Sequence, residues 1–154
     1  MSDTIDVTVA AVIEREGRFL IVEERVAGER VFNQPAGHLE PGESLLQAVM
    51  REVHEETGFE FTPQSLIGVF LWQHPERTYL RVTFAGAAEP PAATPQLDLG
   101  IIATHWLRRQ DLLKLNLRSP LVLQCIDAYA SGASYPLELL ASLVPETGAI
   151  ARRA

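Results

Sequence analysis

Gly37-His-Leu-Glu-Pro-Gly-Glu-Ser-Leu-Leu-Gln-Ala-Val-Met-Arg-Glu-Val-His-Glu-Glu-Thr-Gly-Phe59 is the stretch from which the rest of the chain can be read. Ser44 followed three residues later by Gln47 is a capping box, so a helix opens there. Gly58 supplies its stop, and the spacing predicts a helix running to about Thr57. On a wheel at about 100° per residue with Glu52 at zero, Glu56 falls at about +40° and Glu55 at about −60°. Leu45, Val49, Val53 and Leu46 lie between about +20° and +120° on that wheel. Three carboxylates therefore border the face that must be buried. Side by side they repel one another and resist leaving water, and a hard cation relieves both penalties. Carboxylate oxygens are the ligands Mg²⁺ prefers, with Mn²⁺ as a substitute. The plain alternative is an ordinary glutamate-rich helix surface on which Arg51 pairs with Glu55 four residues on. Two flanking features bear on the choice. Gly37 closes a Gln-Pro-Ala turn whose carbonyl can face the site, and Glu43 lies within reach of Arg51, which can then orient a metal-binding carboxylate.

Outward from this helix, residues 5–13 alternate as a strand, with Val7, Val9, Ala11 and Ile13 on one face. Glu16-Gly17 turns the chain into a second short strand over Arg18 to Glu23, and the two are expected to form a hairpin. Residues 24–36 read as a polar loop. After the helix, Leu66 to Trp72 and Tyr79 to Ala85 form a second hairpin turning near His74-Pro75-Glu76, and the proline-rich residues 88–96 a loop. Ile101 to Leu107 is a further strand. Arg109 to Leu115 reads as a short helix and Ser119 to Ala130 as a longer one opened by Pro120. The tail, Glu146 to Ala154, has no period and is expected to fray. Strands interleaved with helices give an α/β (α+β) layered domain.

The chain has 154 residues, 47% of them apolar, enough for one domain over 1–154 with a single core. Its net charge of −7 argues against a nucleic-acid partner, which calls for a basic footprint. Lys114 is the one lysine among 13 basic residues, so planar guanidinium contacts, rather than a lysine, are on offer for phosphate. No apolar run approaches the roughly 18–20 residues that span a bilayer, and Met1 to Asp6 carry acids where a secretory signal needs basic residues. The expectation is a cytoplasmic protein with no membrane partner. Cys125, the single cysteine, sits in an apolar stretch and reads as core filler.

Gly37, Glu43, Arg51, Glu52, Val53, Glu55, Glu56, Gly58 and Phe59 resemble the Nudix box at every position: Gly, five residues, Glu, seven residues, Arg-Glu, an apolar residue, one residue, Glu-Glu, one residue, Gly, apolar. The resemblance implies a Nudix α/β/α sandwich around a mixed central sheet, and hydrolysis of a diphosphate linked to another moiety. It further implies that Glu52, Glu55 and Glu56 ligate Mg²⁺, that Gly37 lends its carbonyl, and that Glu43 and Arg51 support loop and helix. The general base is left between Glu55 and a carboxylate outside the box, Asp98 before Glu89. Phe32 to Glu40, Asn116 to Val122 and Tyr135 to Glu138 look like a bacterial phosphatase branch of the family. That branch releases phosphate from nucleoside tri- and diphosphates, thiamine pyrophosphate and its pyrimidine precursor. The alternatives are Nudix enzymes of oxidised nucleotides, ADP-ribose or dinucleoside polyphosphates, or a non-catalytic nucleotide sensor. A small-molecule substrate and a monomer or homodimer are expected.

A ring-bearing substrate needs a flat wall and a few polar groups. Phe70, Trp72 and Tyr79 are candidates, although strand aromatics commonly fill the core; Trp72, near a strand end, is favoured. Arg81 in an otherwise apolar strand suggests a phosphate contact or a structural ion pair. Arg118, before the last long helix, is either a substrate contact or a solvated charge. His38 binds phosphate or shapes the turn, and His54 points away from the carboxylates.

Overall fold

The computed structural model describes residues 4–143. The expectation of a fraying tail over 146–154 lies outside them. Among the described residues no helix is long and apolar enough to cross a membrane.

The strand expected first is β1 (Ile5–Val12), but its partners are not those expected. It lies between β5 (Ala36–His38), antiparallel, and β7 (Arg77–Glu89), parallel, with β6 (Glu60–His74) outermost, in a mixed sheet of order β5-β1-β7-β6. The hairpin about Glu16-Gly17 joins only β2 (Glu14–Arg15) to β3 (Arg18–Val26), so β1 and β3 belong to different sheets. The chain leaves the first sheet at Ile13, and Leu20 N–H donates to the Ile13 carbonyl across the bend at 3.0 Å.

The polar loop expected over 24–36 is largely a second hairpin, β3 to β4 (Glu29–Asn33), followed by β5. Its turn is Ala27-Gly28, both at positive φ (51° and 83°), the twist that lets two strands meet in a two-residue turn. Charge hid this strand pair, since Glu23 and Arg30 pair across it rather than marking a loop. β8 (Ile101–Leu107) covers the other edge of β3 and completes an antiparallel second sheet.

Helix α1 (Leu45–Thr57) has the expected limits: Ser44 Oγ accepts from Gln47 N, and Gln47 Oε1 accepts from Ser44 N. The short helix α2 (Arg109–Leu112) ends earlier than expected, and α3 (Leu121–Ala130) begins one residue after Pro120. The mixed sheet is sandwiched between α1 and α3. Val9, Ala11, Val82 and Phe84 pack with Val49 and Val53 of α1 on one face. Val12 packs with Cys125 and Ile126 of α3 on the other, where Thr83 Oγ1 meets Cys125 Sγ at 3.2 Å. This is the α/β/α sandwich expected, with the antiparallel sheet added to it. Because the capping box fixes where α1 starts, Ser44→Ala is expected to cost about 1 kcal/mol, or roughly 3 °C in melting temperature, measurable by thermal denaturation.

Candidate active site

Burying Val49 and Val53 on the sheet fixes the rotation of α1 and carries Glu52 inward with them, to 9% exposure. There its carboxyl rests directly on the Cα of Gly37: a Cβ built on that glycine would stand 2.1 Å from Glu52 Cδ. One turn on, Glu56 Oε1 accepts a 2.8 Å hydrogen bond from the backbone N–H of Ala36. Strand β5 and helix α1 are thus joined through two carboxylates. Arg51 holds the remainder together. Its Nε and Nη2 donate to the two carboxylate oxygens of Glu43 at 3.0 and 2.8 Å, Nη1 donates to Glu52 Oε1 at 2.8 Å and Glu55 Oε2 at 3.1 Å, and Nη2 also reaches the His38 carbonyl. Asp98 arrives from the proline-rich loop, its N–H donating to the Glu55 carbonyl at 3.1 Å.

Burial dominates the electrostatics. Glu56 is pushed up to about 9, first by loss of water and then by the charges of Glu52, Glu24 and Asp98, against the pull of the Ala36 N–H. Glu52 is pushed up to about 7 by burial, with Arg51 opposing and Glu55 and Asp98 reinforcing. Glu43, by contrast, is held below its ordinary range by its hydrogen bonds from Arg51. Arg51 is thereby locked as a cation, with Glu43 the main cause.

Do these groups suit a divalent metal? Among the described residues, no three His, Cys, Asp or Glu side chains converge as a ready-made metal site, since Arg51 stands between Glu52 and Glu55. The donor set fits all the same. Glu52, Glu55 and Glu56 offer hard oxygens, two of them at a high cost of burial that a divalent charge would offset, and the bare Cα of Gly37 leaves the space next to Glu52.

Beside this cluster lies a cleft of about 430 Å³. It is the part of the mixed sheet's α3 face that α3 does not cover. Ala36 and Gly37 line it at the carboxylate end, and Trp72 and Tyr79 at the other, their rings stacked with centroids 5.4 Å apart and 17° between planes. His38, Arg81 and Arg118, singled out from sequence, all face into it, as does Trp72. Arg81 is 5% exposed; its Nη1 donates to Gln34 Oε1 at 3.2 Å, and it makes no ion pair among the described residues, so the structural ion pair is not its role. Glu89, the second carboxylate considered for the base, instead pairs in register with Glu60 at the end of the sheet. His54 points outward to Glu60, as expected.

Sequence reasoning missed Thr8, Asn33 and Gln34. Gln34 is 1% exposed and donates from Nε2 to the Val122 carbonyl at 2.5 Å, so it ties Arg81 to α3. The available signal was a polar residue at an inward strand position: Thr8 directly opposite Arg81 in the β1–β7 register.

The chain belongs to the Nudix family: the family model for the NUDIX domain matches residues 4–124. It is 46% identical over 136 residues to phosphatase NudJ of Shigella boydii serotype 4, covering 87% of this chain and 89% of that one. To phosphatase NudJ of Escherichia coli K12 it is 45% identical over the same span. Among solved structures it is similar to a NUDIX hydrolase from Nitrosomonas europaea, with TM-score 0.89, 43% identity, and coverage of 93% of this chain and 100% of that one. The protein is therefore a hydrolase of pyrophosphate bonds, in a family whose members generally use divalent metals and small nucleotide substrates.

Proposed function

We propose that this chain is a cytoplasmic, Mg²⁺-dependent phosphatase that hydrolyses the phosphoanhydride bonds of nucleoside tri- and diphosphates and of thiamine-related pyrophosphates. The single observation that carries this is the position of Ala36-Gly37, which touches Glu56 and Glu52 on one side and lines the cleft on the other. A diphosphate lying across β5 would have its anhydride beside the carboxylates and its organic group in the cleft. The similarity to proteins named phosphatase NudJ supports phosphate as a product.

In this reading Glu52, Glu55 and Glu56 would hold the metal, with the Gly37 carbonyl. When bound there, Mg²⁺ or Mn²⁺ would supply positive charge against the diphosphate oxygens and would make a nearby water more acidic. Glu43 and Arg51 position the helix and the glycine loop. Arg81, Arg118 and His38 bind the substrate's polar groups and Trp72 its ring. Asp98 serves as the base: Glu55's carboxylate is engaged by Arg51, whereas no side-chain hydrogen bond engages Asp98 among the described residues. From beside Glu52 and Glu56, where its charge is felt by both, Asp98 takes the proton of the attacking water.

The test is incubation with Mg²⁺ and, separately, ATP, ADP, GTP, thiamine pyrophosphate, ADP-ribose and diadenosine tetraphosphate, quantifying phosphate, pyrophosphate and mononucleotides. Free phosphate from the nucleotides and thiamine pyrophosphate is expected. Mononucleotides from the last two substrates alone would assign a different Nudix substrate class.

A further inference from the structure

Strands β3 and β8 do not pair evenly. From Phe19 opposite Leu107 to Glu23 opposite Ala103 they run in step, but Glu24 faces Ile101, so Ile102 is an extra residue on β8. A bulge of this kind redirects the chain beyond it, and beside an active site it is a built feature. Beyond this one lies Asp98. Arg25 N–H donates to the Gly100 carbonyl at 2.8 Å, Ile101 N–H to the Asp98 carbonyl at 3.2 Å, and Asp98 N–H to the Glu55 carbonyl of α1 at 3.1 Å. The bulge is therefore where β8 meets the chain that crosses to the carboxylate helix.

A polar pair stands on the β8 side of that bulge. Glu23 is 3% exposed, and a carboxylate so placed must be held by donors. His105 Nε2 donates to its Oε1 at 2.8 Å, and Arg30 Nε to its Oε2 at 2.6 Å. His105 is directly opposite Ile21, so its bond to Glu23 runs diagonally across the ladder. Such a bond exists in one register alone. Were the extra residue to move from Ile102 towards Trp106, Glu23 would face Ile102 and His105 would face Leu20, which carries the imidazole to the other side of the sheet. The pair thus pins the bulge where it is.

We propose that Glu23 and His105 are positioning residues for the hydrolysis: their bond confines the extra residue to Ile102 and so sets where Asp98 stands against Glu52 and Glu56. Arg30 supplies the second donor that keeps the Glu23 carboxylate in place. For its effect on turnover the inference rests on the reading of Asp98 as the base, but the placement of Asp98 is tested without turnover.

The experiment is amide hydrogen exchange on the full chain, wild type and His105→Leu, followed by turnover of ATP with Mg²⁺ on the same samples. In His105→Leu the amides of Arg25, Asp98 and Ile101 are expected to exchange about 10-fold faster or more, while those of Ala48 and Gly58 on α1 keep their wild-type rates. A merely structural histidine would speed all five together. The same variant should lose about 10-fold in kcat with KM within about twofold, since Asp98 is displaced and the cleft is not. His105→Gln, which keeps an N–H donor, should recover both. Should His105→Leu melt too low to be read, Glu23→Leu combined with His105→Leu takes its place and should show the same changes. That pair buries no unpaired charge, and Arg30, with a side chain 61% exposed, turns to water. In an Asp98→Asn background His105→Leu should cost no further turnover, because two residues acting through one group do not add. Unchanged exchange at Asp98 in His105→Leu, or a full additional loss in the Asp98→Asn background, would overturn the proposal. Near-normal turnover of Asp98→Asn would instead overturn the base reading, and the pair's effect on turnover with it, while faster exchange at Asp98 in His105→Leu would still uphold the positioning.

Discussion

Glu56→Gln is expected to lower turnover by about a thousandfold or more while raising, not lowering, the melting temperature of the metal-free protein. The size of the loss follows from the role proposed for Glu56: a metal ligand contributes several kcal/mol of transition-state charge stabilisation, and each 1.36 kcal/mol is about tenfold in rate. Glutamine keeps an oxygen for the Ala36 N–H, so the β5–α1 contact survives. The gain in stability follows from the carboxyl's position. Glu56 is raised from its ordinary 4.5 to about 9, chiefly by burial, so between those values the folded chain retains a proton that the unfolded chain has released. Stability then falls as pH rises through that window, because the folded state binds more protons there than the unfolded state. Glutamine has no such charge to bury. Its advantage in melting temperature over wild type should therefore be absent near pH 4 and widen towards pH 9, at about 3 °C for each 1 kcal/mol. Activity should run the other way in the wild type, rising with pH as the carboxylates proposed to bind metal ionise. Thermal melts across pH, with turnover on the same preparations, check both signs. A Gln variant with near-normal turnover would remove Glu56 from the mechanism.

Gly37→Ala should separate activity from folding even more cleanly. The glycine is not at positive φ, so alanine meets no backbone strain there, and what it adds is a methyl group 2.1 Å from Glu52 Cδ. Something must move, and it will be Glu52, whose carboxylate is the far end of a flexible side chain. The expected cost in stability is small. The expected cost in kcat is about 100-fold or more, since displacement of a ligand by an ångström is enough to spoil the alignment of reacting groups. Circular dichroism and melting temperature should stay near wild type while kcat falls. Loss of fold and activity together would make Gly37 a packing residue and no more.

The site's core was legible in the sequence because its determinants are local. A capping box, a C-terminal glycine and a 3.6-residue period fix helix length and phase, and from these Glu52 must border the core, as it does. What the sequence hid was long-range pairing. Nothing local says that Ile5–Val12 pairs in parallel with a strand some 70 residues on, or that β1 and β3 part company at Ile13. The charged segment 24–36 concealed a strand pair because its Arg30 reaches across the hairpin to Glu23 on β3. The cleft was half legible for the same reason. Arg81 and Trp72 stood out as polar or terminal residues in strands, and Arg118 as a cation ahead of a helix. Asn33 and Gln34 fell in what read as a loop, and Thr8 passed as an ordinary strand threonine until β7 brought Arg81 alongside it.

Buried carboxylates beside Gly37 that take up a divalent cation must give up protons to do so, and calorimetric titration of Mg²⁺ in buffers of differing ionisation enthalpy counts those protons. Burial raises both carboxyls, Glu56 to about 9 and Glu52 to about 7, so at pH 7 protons remain on the pair. Binding should therefore release about one proton or more per site in the wild type, and Glu56→Gln should bind more weakly with less proton release. Mg²⁺ binding that releases no protons and is unchanged by Glu56→Gln would place the metal away from these carboxylates and remove them from its coordination.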